Sequence, residues 1–239
     1  MTTQTDNRSY YDAFSVGYDD DRETGYHQLI DDQAAALVQR VGTARSVLEV
    51  GCGTGLILQR VAAFARRAQG IDLSPAMLQH ARARGLDVQH ASATDLPFPD
   101  ASFDVAYSFK VLAHVPDFAL ALTEMARVVR PGGYLVFDIY NRHSIRYAIK
   151  RWWGPRPTSS SYDEAAIGTR FLSVDEAPRY FPAGTRLVDR AGIRVVTVHP
   201  APLRWPGAKA LLARAEWKLM DSRWSRFAGF VVFFLEKIT

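Results

Sequence analysis

The chain has 239 residues, 48% of them apolar, and a formal net charge of +4. That length and apolar fraction suit one domain of the larger α/β kind with a sizeable core, and require no second domain. The basic residues are scattered, so composition does not argue for a nucleic-acid groove and leaves such a substrate open but not favoured; a single cysteine, Cys52, excludes an internal disulfide and a cysteine-built metal cluster. No metal is expected.

The N-terminus opens polar, MTTQTDNRS, without an apolar h-region, and no apolar run approaches the ~20 residues that span a bilayer. A cytoplasmic protein is expected. Next come Tyr10-Tyr11-Asp12-Ala13-Phe14 and Gly17-Tyr18-Asp19, in which Tyr11, Phe14 and Tyr18 fall three and seven residues apart and share a helical face. Such an aromatic stripe serves either as core or as the cover of a cleft.

Residues 46–50 read as the first strand, and Gly51, Gly53 and Gly55 follow it directly, ahead of helical spacing from Leu56 to Ala65. Glycine in such a turn tolerates positive φ and lets backbone N–H groups approach a ligand, and the helix N-terminus adds a positive dipole end. Strand, tight turn and helix together build a nucleotide-cofactor site. The dinucleotide fingerprint G-x-G-x-x-G needs glycine at position 56, where Leu56 stands, so a nicotinamide oxidoreductase fits poorly.

The second strand, 67–71, stops at Asp72, about 20 residues past the glycines, where a carboxylate can accept both ribose hydroxyls or simply cap the next helix. Ser74 suits that helix's N-cap and Pro75 its first position. Residues 87–91, 103–108 and 134–139 read as strands three to five, and Phe118, Leu122, Met125 and Val129 mark a helix over 117–129. Beyond strand five, Trp152 to Pro157 and Ser159 to Ser161 mark a long irregular insertion. Within it, Ser173-Val174-Asp175-Glu176 resembles a capping box opening a short helix. Residues 193–198 and 229–236 read as the last two strands, with a basic amphipathic helix from Ala208 to Met220 between them. Alternating strands and helices imply an α/β, Rossmann-like, seven-stranded, mostly parallel sheet with helices on both faces.

The run Glu49-Val50-Gly51-Cys52-Gly53-Thr54-Gly55, the Asp72-Leu73-Ser74-Pro75-Ala76-Met77 step, Ala93-Thr94-Asp95-Leu96-Pro97-Phe98, Asp100 to Val105 and Arg130-Pro131-Gly132-Gly133 resemble, in order, the motifs of class I S-adenosylmethionine-dependent methyltransferases. The subgroup resembled is the ubiquinone/menaquinone-biosynthesis type of small-molecule methyltransferase, over roughly residues 10 to 140. The resemblance implies an antiparallel last strand and a single domain, with cofactor-covering helices at 1–42, a cofactor-binding core at 43–140, an insertion or lid at 141–192, and C-terminal strands and amphipathic helix at 193–239. It also implies S-adenosylmethionine as cofactor and S-adenosylhomocysteine as product. Gly51, Gly53 and Gly55 then line the methionine moiety, Asp72 the ribose, Met77 the adenine face, and Asp95 with Leu96 the adenine edge, with Glu49, Leu73 and Thr94 also among the cofactor-binding residues. Phe109 walls the cofactor or is a plain core aromatic. Tyr11 and Tyr18 fold over the cofactor, and Arg22 partners its carboxylate.

The methyl group of a sulfonium is already activated, so transfer needs a nucleophile held in line and water kept out. His114 follows strand four on the acceptor side and either takes a proton from a hydroxyl or holds its loop by a hydrogen bond. Tyr140, Asn141 and Arg142, with His143, follow strand five and line the acceptor pocket or form an ordinary polar loop. No N-P-P-Y signature stands at Asn141 or after strand four, which disfavours base N-methylation in nucleic acid. Basic-aromatic mixtures at Ile145 to Trp153 and Arg214 to Lys218 suit a lid over an apolar acceptor, or transient membrane contact. The expected activity is methyl transfer to a small hydrophobic acceptor in small-molecule biosynthesis: a quinone, polyketide or other natural product. A tRNA-modifying methyltransferase and a non-catalytic cofactor-binding protein are the alternatives.

Overall fold

The computed structural model describes residues 7–15, 18–19, 25–153, 168–197 and 206–239. Two helices, α1 (Asn7–Phe14) and α2 (Gly25–Gly42), precede β1 (Ser46–Val50), α3 (Leu56–Ala62), β2 (Arg67–Asp72), α4 (Pro75–Ala83) and β3 (Asp87–His90). The chain then crosses back through β4 (Phe103–Ser108), α5 (Phe118–Val128), β5 (Val129–Asn141), α6 (Ile145–Trp153), β6 (Phe171–Leu172) and β7 (Thr185–Ile193) to α7 (Pro206–Leu219) and β8 (Phe230–Lys237).

The strands lie in the order β3-β2-β1-β4-β5-β8-β7, with the two-residue β6 beside the end of β5. All pairings are parallel except those of β8, which runs antiparallel between β5 and β7. Buried on both faces, the central strands read as near-continuous apolar runs, VLEV in β1 and FVVFFL in β8. Alternation sorts their side chains: Leu48, Phe137 and Phe233 join the core on one face, while Val47, Val136 and Phe234 pack with Ile30, Leu37 and Val38 of α2 on the other. Because β1 is flanked by β2 and β4, the chain reverses direction across the sheet there, and a crevice opens at the C-terminal strand ends.

Two expectations change. The sheet has an eighth strand, β6, and the strand expected at 193–198 lies instead at 185–193, inside the stretch assigned to the insertion. β7 is an edge strand with exposed Arg186, Leu187, Val188 and Asp189, so it lacks the apolar run of a buried strand. The β-branched residues that suggested a strand, Val195 to Thr197, bend away. Their three N–H groups donate to the buried Glu216 carboxylate of α7 at 2.8, 3.0 and 2.7 Å, so a side chain replaces a sheet partner. The expected capping box does form: Ser173 N–H donates to Glu176, and Glu176 N–H to the Ser173 hydroxyl. Trp152 to Pro157, Ser159 to Ser161 and residue 198 carry side chains or backbone outside the described residues.

Candidate active site

The glycine turn is built by its own backbone. Gly51 and Cys52 N–H groups both donate to the Ile71 carbonyl at 2.8 and 2.9 Å, tying the end of β1 to β2. Gly51 has φ +81°, and a Cβ there would sit 2.5 Å from a Val111 methyl, so side chains are excluded by both strain and space. Gly53, φ +53°, has no heavy atom within 4 Å of its virtual Cβ and faces a cavity of about 330 Å³. Cys52 also lines it, with burial pushing the thiol well up in pKa, which leaves it a small inert wall residue.

Asp72 ends β2 beside this turn. One carboxylate oxygen accepts from Gly53 N–H and the other from Ser74 N–H, both at 2.8 Å. Burial pushes its pKa up, opposed by those amides. Ser74 caps α4, accepting from Met77 N–H, with Pro75 at the first position. Leu73 and Met77 therefore present to the cavity from the start of α4, opposite Ala91, Ser92, Ala93 and Thr94.

The other end is charged. Glu49 is buried, accepts the Tyr107 hydroxyl at 3.1 Å, and is held well above the usual carboxylate range by desolvation. Beside it Lys110, at left-handed φ +62°, donates its ammonium to the buried Asp31 at 2.7 Å and its N–H to Asp138 at 2.9 Å. A non-glycine residue held there is strained, a feature that clusters at functional sites. Asp31 and Lys110 escaped sequence reasoning. The readable signal was an acid on the buried side of α2, among Ile30, Gln33 and Ala34.

Phe109 and His114 also line the cavity. His114 is buried on a short 3₁₀ turn, with Nδ1 3.4 Å from the Thr169 hydroxyl and its ring edge-on to Tyr140 at 5.4 Å. Tyr11 and Tyr18 close the wall from the N-terminal segment.

Glu49, Gly51, Gly53, Asp72, Leu73, Met77, Thr94, Phe109, His114, Tyr11 and Tyr18 thus meet at one cavity. Six others do not, and Arg22 lies outside the described residues. Gly55 is the N-cap of α3, at φ 85°, and packs toward Ala81 and Leu86. Asp95 is exposed, because its N–H closes a tight turn onto the Ser92 carbonyl. Leu96 turns into the core, and its N–H donates to Glu124. Tyr140 stands one layer behind His114. Asn141 is a clamp, donating to the carbonyls of Arg226 and Ala228, and Arg142 is drawn outward by its ion pair with Glu176.

A parallel sheet with this strand order, a glycine turn after β1 and an acid at the tip of β2 defines the class I S-adenosylmethionine-dependent methyltransferase fold. Residues 48–137 match the family model for the methyltransferase domain. Over 100 residues it is 43% identical to a probable S-adenosylmethionine-dependent methyltransferase of Mycolicibacterium smegmatis, spanning 41% of this chain and 39% of that one. It is 36% identical over 110 residues to the ubiquinone biosynthesis O-methyltransferase of Alkalilimnicola ehrlichii, 43% of this chain and 44% of that one. The chain spans about two fifths of the length of the curated relatives it matches. In fold it resembles an S-adenosylmethionine-dependent methyltransferase from Thermotoga maritima, with a TM-score of 0.71 at 22% identity, covering 96% of this chain and 99% of that one. It also resembles the geranyl diphosphate C-methyltransferase of Streptomyces coelicolor, crystallised with S-adenosyl-L-homocysteine, with a TM-score of 0.57 at 16% identity over 87% of this chain and 78% of that one.

Proposed function

We propose that the protein transfers the methyl group of S-adenosylmethionine to a small apolar acceptor in small-molecule biosynthesis, releasing S-adenosylhomocysteine. The observation that carries this reading is the cavity at the sheet's switch point, open over Gly53 and ended by the Asp72 carboxylate. Bound there, the cofactor supplies an activated methyl group for in-line displacement. Asp72 has lone pairs left beyond its two amide bonds to accept a ribose diol. Leu73 and Met77 offer an apolar face to adenine, and Ser92 and Thr94 offer hydroxyls to its edge. At the opposite end, the Asp31–Lys110 pair supplies both signs of charge for an amino acid moiety, beside the Glu49 carboxyl that burial holds toward its neutral form.

Tyr11, Tyr18 and Phe109 exclude water from the reacting end. His114 takes the proton of a hydroxyl acceptor at Nε2, while the Nδ1 contact with Thr169 fixes the ring. Relatives include a fatty-acid O-methyltransferase and ubiquinone biosynthesis O-methyltransferases, whose names agree with an apolar acceptor.

Calorimetric titration with S-adenosylmethionine and S-adenosylhomocysteine tests the cofactor assignment. Both are expected to bind in the micromolar range, and Asp72→Asn to weaken binding about 10- to 100-fold, the worth of charge-assisted bonds to a diol. Binding of NADH with none of either ligand would sink the reading. Methyl transfer from labelled cofactor to a panel of phenols, quinols and fatty acids then identifies the acceptor.

A further inference from the structure

The outer face of α7 and the 3₁₀ turn after it, Arg223–Phe227, expose apolar and basic side chains side by side. Leu211 is 70% exposed and Trp224 51%, with Trp217 and Phe227 also exposed. Leu211, Arg214, Trp217 and Lys218 recur at helical spacing on the solvent side, whereas Leu212 and Met220 pack into the core. The Arg223 guanidinium stands 5.5 Å over the Trp224 ring, and Arg226 the same distance over Phe227. Scattered single apolar residues are ordinary on a protein surface, but four large ones within 17 residues, each beside a cation, are not.

The acids of this segment are both committed elsewhere. Glu216 points inward, buried under three backbone amides, and Asp221 accepts both guanidinium N–H groups of Arg40 at 2.9 and 2.8 Å. The exposed face is left with Arg214, Lys218, Arg223 and Arg226, a surplus of positive charge. Its position is fixed by Asn141, which holds the Arg226 and Ala228 carbonyls against the C-terminal end of β5. That is the rim of the sheet at which the cavity of about 330 Å³ lies.

We propose that this face docks peripherally on an anionic lipid surface. Amphipathic aromatic rings and an aliphatic side chain settle at the headgroup boundary, while the arginine and lysine heads meet phosphate. A polyanion without an apolar layer would complement the cations but leave Leu211 in water. Docking sets the cavity's rim beside the membrane, from which an apolar acceptor can be drawn. The docking itself does not depend on the cofactor reading, because it can be measured without turnover.

The test is co-sedimentation of the full chain with phosphatidylcholine vesicles and with vesicles in which about a third of the lipid is phosphatidylglycerol. Partition onto the anionic vesicles is expected to exceed that onto neutral ones about tenfold, and to fall to the neutral level when NaCl rises from about 0.1 to 0.5 M. Trp224→Ser with Phe227→Ser should reduce it about tenfold, and Arg223→Glu with Arg226→Glu still further. Leu187→Ser, an exposed change on β7, should leave it unchanged. All these positions are exposed, and equal thermal unfolding of the variants would establish that folding is intact. Equal partition onto both vesicles, or binding by the Trp224/Phe227 variant equal to that of the wild type, would overturn the proposal. Retention on heparin without any vesicle binding would likewise overturn it in favour of a polyanion surface.

Discussion

The hydroxyl of Ser74 donates to the Asp12 carboxylate at 2.5 Å, joining α1 to the N-terminus of α4. The same oxygen of Asp12 accepts from Ala76 N–H, so the carboxylate sits where the first free amides of the helix point. A second bond of the same kind lies seven residues on: Asp19 accepts the Thr54 hydroxyl and the Arg84 guanidinium, each at 2.8 Å. In each Tyr-Asp pair the tyrosine faces the cavity and the aspartate fastens the segment to the cofactor side of the sheet.

Breaking a latch should therefore change ligand affinity more than stability. Asp19→Ala is expected to weaken S-adenosylhomocysteine binding about tenfold, chiefly through a faster off-rate, with the melting temperature lowered by no more than about 2 °C. Stopped-flow displacement and calorimetry check both. Unchanged affinity would mean that Tyr18 does not cover the ligand.

Gly51→Ala and Gly53→Ala should part company. The first forces a Cβ to 2.5 Å from Val111 at φ +81°, and is expected to destabilise the fold by about 3 kcal/mol. The second meets no atom, so only the left-handed strain of roughly 1–2 kcal/mol remains. Its methyl group would occupy cavity space, however, so a folded Gly53→Ala protein with cofactor affinity reduced tenfold or more is expected, read by thermal unfolding and titration.

Asp138 supplies a pH dependence. Burial raises its pKa from 3.8 to about 7, and Lys110 N–H only partly offsets this. Between about pH 4 and 7 the native carboxyl keeps a proton that the unfolded chain has released, so stability falls as pH rises through that window. Asp138→Asn keeps an acceptor for Lys110 and never ionises. It should therefore gain on the wild type between pH 4 and 8 by a few kcal/mol, on the order of the shift itself. The wild type's decline should be shallower in the variant but still present, because Glu49 and Asp72 are raised too. Urea midpoints at both pH values decide it; a constant difference would refute the assignment.

Glu216 carries three amides that have no sheet partner. Glu216→Ala should orphan all of them and cost at least about 3 kcal/mol, with Glu216→Gln losing about half as much since one acceptor oxygen survives. Urea denaturation measures it. A loss below 1 kcal/mol, on the order of a surface change, would show that water replaces the carboxylate.

Residues close together in the chain were legible without coordinates. The Val47–Gly55 strand and turn, Asp72 at a strand end, the Ser74 cap and the Ser173–Glu176 capping box all obey rules of period, φ tolerance and local hydrogen bonding, which act over a few residues. What the strand order and packing decided could not be read there. Lys110 meets Asp31 across 79 positions and Asp12 meets Ser74 across 62, contacts that no local pattern encodes. Asn141, polar and next to a strand end, looked like a pocket residue until its amide was found satisfied by the Arg226 and Ala228 carbonyls. Val195 to Thr197 failed as a strand because propensity measures a fit to a pleated surface, and here a single buried carboxylate from another helix took their N–H groups. Sequence by itself determined the first five strands, the helices between them and the glycine–acid cofactor pattern; the tertiary fold decided where the edge strand β7 runs and which side chains reach the cavity, since both depend on bonds between segments brought together only by the sheet.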